Sequence, residues 1–114
     1  MTFKNSIIQI TTNGMGHGNP ELQLKLITTY LNLLLDTETT PNIITFYNEG
    51  VKLLVEGSPI IETLKKLESK NVRLIACGTC LNFYNLTEKL QVGIVGGMTD
   101  IIEAQQKADK VITL

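Results

Sequence analysis

The side chains with the most chemistry to offer are two cysteines three residues apart, in Cys77-Gly78-Thr79-Cys80. They follow an apolar run at 72–76 that reads as a strand and precede a short helical segment at 81–84. Amides at a helix start carry partial positive charge, so a thiol placed there ionises more readily. Glycine beside it permits a sharp turn and a close approach of those amides. A second thiol three residues on can attack a persulfide or mixed disulfide on the first. Spacing alone leaves four readings open: two small buried residues, a structural zinc site, a thioredoxin-like oxidoreductase, and a carrier holding sulfur as a persulfide on Cys77. Zinc needs four ligands, and His17 is the only other strong candidate unless subunits pool their cysteines. The thioredoxin reading is weakened because the pair follows the third strand, the chain has no tryptophan, and no nearby proline supplies a cis turn.

Other residues share the same sheet edge. The loop Gly14-Met15-Gly16-His17-Gly18 resembles a dinucleotide fingerprint, but G-x-G-x-x-G fails because residue 19 is Asn. The loop reads instead as a flexible strand-to-helix passage able to cover the thiols. His17, the sole histidine, is either an exposed loop residue or a proton-transfer group near Cys77. His17, Gly78 and Asn48 are the auxiliary candidates beside Cys77 and Cys80. Glu49 receives no role, since a carboxylate beside Cys77 would raise its pKa. No cofactor and no metal site are expected.

Elements that position these residues alternate along the chain. Residues 6–12, 42–47, 72–76, 92–95 and 111–114 read as strands, being short and rich in β-branched or aliphatic residues. Asn19 then Pro20 opens a helix to about Asp36. A short helical piece is expected at 51–55. Ser58 and Pro59 open a helix whose Ile60, Ile61, Leu64 and Leu67 share one face. Thr99 is expected to cap a last helix over 100–108. Alternating strands and helices imply βαβ units, a mostly parallel sheet and helices on both faces: an α/β fold of three α/β/α layers. Ligands in such sheets bind beyond the carboxyl ends of the strands, which again selects the thiols. The first helix is apolar around much of its circumference and reads as a subunit interface rather than a buried core helix.

Composition narrows the function classes. The 114 residues make one domain, 1–114, with 43% hydrophobic and 18% charged residues and a net charge of −1. Arg73 is the one arginine, which argues against nucleic acid as the main ligand. Two cysteines make no secreted disulfide framework, and residues 1–10 lack the features of a signal peptide. The greasy stretch 22–35 is too short and polar to span a bilayer. No membrane association is expected, and the cytoplasm is the expected compartment.

Phe46-Tyr47-Asn48, Gly50-Val51-Lys52-Leu53, Glu56-Gly57-Ser58, Cys77-Gly78-Thr79-Cys80-Leu81-Asn82, Tyr84, Leu86, Lys89-Leu90, Val92-Gly93 and Ala108-Asp109-Lys110-Val111-Ile112 together resemble the DsrE-like sulfur-relay family. The resemblance runs from about Ile7 to the end and is nearest to the C-terminal DsrE-like domain of YedF-type selenium-metabolism proteins. It implies an α/β/α fold with about five parallel strands, assembly into dimers, trimers or hexamers, and a sulfurtransferase-like persulfide on a cysteine ending the third strand. Cys77 matches that position, and Cys80 matches the second cysteine of the YedF-like group. Two departures stand out. The chain has no room for the TusA-type carrier domain that usually precedes the YedF-type one, so sulfur donor and acceptor are expected on a separate chain, such as a TusA-like carrier. It also lacks the arginine that relay proteins often carry shortly after their cysteine.

Overall fold

The computed structural model describes residues 5–114; residues 1–4, part of the stretch 1–10 read for a leader, lie outside them. Five short apolar runs form one sheet: β1 (Ser6–Ile10), β2 (Ile43–Phe46), β3 (Arg73–Cys77), β4 (Ile94–Gly96) and β5 (Lys110–Thr113). Their order is β4-β3-β2-β1-β5, and every pairing is parallel. The three inner strands are nearly unbroken apolar runs because helices cover both faces of a parallel sheet. Ile10, Phe46 and Ala76 stand abreast in the register, as do Ile8, Ile44 and Leu74.

Four α-helices join the strands: α1 (Pro20–Asp36), α2 (Ile61–Ser69), α3 (Gly78–Phe83) and α4 (Met98–Lys107). From β1 to β4 the sheet grows in one direction, so right-handed crossovers leave the connecting helices on one face. The connection from β4 to β5 runs back to the opposite edge and leaves α4 on the other face. Side chains agree with this. Ile8, Ile10, Ile44, Phe46 and Leu74 pack with Ile27 and Leu31 of α1 and Leu64 and Leu67 of α2. Gln9, which alternates with Ile8 and Ile10, instead accepts a hydrogen bond from Gln105 of α4. The expected three-layer α/β/α arrangement is therefore the observed one.

Local departures have local causes. The helical piece expected at 51–55 is a 3-10 segment, Asn48–Leu54, that begins almost as soon as β2 ends. Gly50 there lies so close to β1 that a Cβ would overlap the Ile10 carbonyl. β4 starts at Ile94 rather than 92, because Val92 turns into the core and Gly93, at φ +87°, sits against the Leu74 backbone. The last helix starts at Met98 rather than 100. Asp100, not Thr99, closes that start, its carboxylate accepting from the Gly97 N–H at 2.8 Å.

α1 begins where Asn19 and Pro20 place it, the Asn19 side chain accepting from the Glu21 N–H at 2.9 Å. Asn19→Ala is expected to cost about 1 kcal/mol. Urea unfolding should show a lower midpoint and an unchanged slope; an unchanged midpoint would remove the cap from the account. Of the helix's apolar residues, Ile27 and Leu31 are fully buried, and Leu24, Tyr30, Leu34 and Leu35 pack partly on the core. Leu22, Leu26 and Leu33 are exposed. No described helix is long and apolar enough to cross a membrane.

Candidate functional site

β3 runs one residue further than its apolar pattern suggests and ends on Cys77, paired in register with Gly96 of β4. The chain turns at once into α3, so Cys80 stands one helical turn further on. Gly78 has an ordinary helical conformation rather than a positive φ. Its missing side chain matters for approach: a Cβ there would lie 3.1 Å from Val95 Cγ1 of β4.

The two thiols are near enough to act on each other's ionisation but differ in access. Cys77 is 2% exposed and belongs to the hydrophobic core, whereas Cys80 is half-buried. The amide arrangement also differs from that expected at a helix start. Cys77 is the residue before the first turn of α3, yet its side chain accepts no hydrogen bond from that turn. The amide that reaches sulfur comes from 32 residues earlier: the Asn48 N–H donates to Cys80 Sγ at 3.1 Å. The 3-10 segment after β2 aims it.

Burial pushes the Cys80 thiol above the ordinary cysteine range, and the hydrogen bond and charge of Cys77 push it the same way, while the Asn48 amide opposes them. Alkylation of Cys80 by iodoacetamide should therefore show a pH midpoint above the usual thiol value of about 8.5. Cys77→Ala should bring the midpoint down, since it removes two of the three influences that raise it. A wild-type midpoint at or below the ordinary value would contradict this electrostatic account.

A charged rim borders the pair. Lys52 Nζ binds Glu49 Oε2 at 2.8 Å and lies 4.8 Å from the ring centroid of Tyr84, whose N–H donates to the Cys80 carbonyl. Lys52 holds the Glu49 carboxylate below its usual pKa, mainly through that hydrogen bond. Lys52 and Tyr84 also line an open groove of about 460 Å³ with Asn13, Leu24 and Val55. His17 is exposed and near enough to Glu49 for its charge to act on that carboxylate. Its loop is tied back to α1: the Met15 N–H donates to the Gln23 carbonyl, and the Gly18 N–H to Gln23 Oε1 at 3.1 Å.

Of the residues singled out by sequence, Cys77, Cys80, Gly78 and Asn48 thus come together, Asn48 through its backbone. His17 reaches the same edge beside Glu49, with no hydrogen bond to either thiol. Lys52 and Tyr84 were not singled out for chemistry. Their signals were modest: Lys52 lies three residues after Glu49, and Tyr84 four after Cys80, both spacings that meet on helical turns. Among the described residues, no group of three or more His, Cys, Asp or Glu side chains converges as a metal site would require.

Solved structures share this fold from end to end. The protein MTH1491 of Methanobacterium thermoautotrophicum, of unknown function, is 22% identical over 98% of this chain and 99% of its own, with a TM-score of 0.71. The YchN protein of E. coli is 21% identical over the whole of both chains, with a TM-score of 0.66. BT1422 of Bacteroides thetaiotaomicron, a conserved protein of unknown function, is 14% identical over 96% and 95%, with a TM-score of 0.68. A search of curated proteins gives no match. The family model for the DsrE/DsrF-like family matches residues 6–114, which takes in every described strand and helix and both cysteines, and the chain belongs to that family.

Proposed function

We propose that this protein is a sulfur carrier that holds a persulfide on Cys77. The DsrE/DsrF-like family is linked to sulfur relay. The observation that carries the reading is the pairing of a buried thiol with an accessible one at the carboxyl edge of β3. In the loading step a cysteine thiolate takes the outer sulfur of a donor persulfide, R–S–SH. A new S–S bond forms, the donor S–S bond breaks, and R–S⁻ leaves. Within the core, Cys77–S–SH is screened from free thiols and water. Thiolate attack by Cys80 on the inner sulfur would expel HS⁻ and leave a Cys77–Cys80 disulfide, the sulfane sulfur being reduced as the two cysteines are oxidised. The same chemistry accommodates selenium, which the resemblance to YedF-type proteins brings into consideration. Donor and acceptor are proposed to be separate chains of the TusA-like kind. The exposed Leu22, Leu26 and Leu33 of α1 support self-assembly into a homo-oligomer.

Intact mass spectrometry after incubation with cysteine persulfide and removal of excess donor tests the carrier reading. The expected result is a gain of one sulfur, localised to Cys77 by fragmentation. Two other outcomes would sink it. A loss of two hydrogens without sulfur gain, with no sulfur found on Cys77 in the Cys80→Ser variant either, would make the pair a thiol–disulfide redox couple. No change, with neither thiol alkylated until unfolding, would make the thiols structural and the protein a binding or assembly module.

A further inference from the structure

We infer that Cys80 is the loading thiol: the sulfane sulfur arrives on Cys80 from a protein- or cysteine-borne persulfide and passes within the pair to Cys77. This rests on the carrier reading and assigns the order of its steps.

The argument begins with access. Cys77 is 2% exposed, shut in by its place in β3 and the core. Sulfur transfer needs the incoming thiolate, the transferred sulfur and the leaving sulfur roughly in line, and a donor outside the fold cannot reach Cys77 without opening it. Cys80 is half-buried, one turn further along α3, and neighbours Cys77 directly. Asn48 supplies the second, independent observation. Its N–H points at Cys80 Sγ from 3.1 Å, where it stabilises negative charge on that sulfur. Such charge develops twice if Cys80 is the intermediate station, once as it attacks the donor and once as it leaves.

The steps balance without an added oxidant or reductant. The Cys80 thiolate attacks the outer sulfur of R–S–SH, giving Cys80–S–SH and R–S⁻. The Cys77 sulfur then attacks the same outer sulfur, giving Cys77–S–SH and releasing Cys80 as a thiolate under the Asn48 amide. The proton of Cys77 ends on Cys80, so the pair is neutral again when the transfer is complete. The sulfane sulfur keeps its oxidation state throughout.

A quenched time course with cysteine persulfide, read by intact mass, compares wild type with Cys80→Ser. The expected result is that sulfur reaches Cys77 about tenfold or more slowly in the variant, since loading then waits on local opening. Loading of Cys80→Ser at the wild-type rate would overturn the entry role of Cys80 while leaving Cys77 as the carrier. Wild type that never places sulfur on Cys77 would overturn the carrier reading itself. A measurement needing no variant adds to this: brief iodoacetamide treatment of the reduced wild type should modify Cys80 first, and modification of Cys77 first would overturn the inference.

Discussion

Cys77→Ser is expected to lose all sulfur retained after donor removal, while its Cys80 still reacts with the donor. A serine oxygen forms no persulfide, and the one remaining thiol is half-buried rather than enclosed. Sulfur placed on Cys80 stays open to free thiols and is stripped during buffer exchange, so the adduct lifetime should fall by about tenfold or more. The buried hydroxyl should cost roughly 1–2 kcal/mol, which leaves the variant folded but measurably less stable. Cys77→Ala separates the two effects, because it removes the sulfur acceptor without burying a hydroxyl. Should either variant hold sulfur as long as the wild type, the store is Cys80 and the roles of the two thiols are reversed.

Gly50→Ala is expected to be the most damaging single-methyl change in the fold. Gly50 is buried in the 3-10 segment, and a Cβ would overlap the Ile10 carbonyl at the end of β1. Neither side yields easily. The Ile10 carbonyl accepts from the Tyr47 N–H at 3.2 Å, and the Gly50 N–H donates to the Tyr47 carbonyl at 3.0 Å. Relief requires the segment to move off the sheet, at a cost of about 3 kcal/mol. For a domain of this size that is a Tm lower by on the order of 10 °C. The same movement carries Asn48 away from Cys80, so the alkylation midpoint of Cys80 should rise as the stabilising amide is lost. A Gly50→Ala protein with unchanged Tm and unchanged Cys80 titration would mean the segment is more compliant than its hydrogen bonds imply.

Much of this architecture was legible because it rests on local pattern. Strands β1, β2 and β3 are nearly unbroken apolar runs, the form a strand takes when both its faces are covered. Asn19-Pro20 announced α1 because a cap and a fixed φ act within one turn. The C-x-x-C likewise read as a strand-to-helix passage, although α3 starts at Gly78 and takes in Cys80 where the sequence pattern began a helix only at 81. Errors fell where two local signals compete or a distant contact decides. Thr99 has the right chemistry for a cap, but the Asp100 carboxylate one residue on reaches back to Gly97 and starts α4 earlier. The segment after β2 has no helical periodicity, and its shape is set by how closely Gly50 meets Ile10.

The sequence by itself determined that this is a parallel α/β chain with a thiol pair at the carboxyl edge of its third strand, because hydrophobic period, caps and residue spacing are properties of neighbours along the chain. The tertiary structure alone decided which thiol is enclosed, which is open, and which receives an amide. Enclosure of Cys77 depends on β3 being an inner strand beside β4, and the donor to Cys80 comes from Asn48, 32 residues away. Burial and electrostatics are sums over whatever the fold brings near, and those neighbours are set by sheet order rather than by order along the chain.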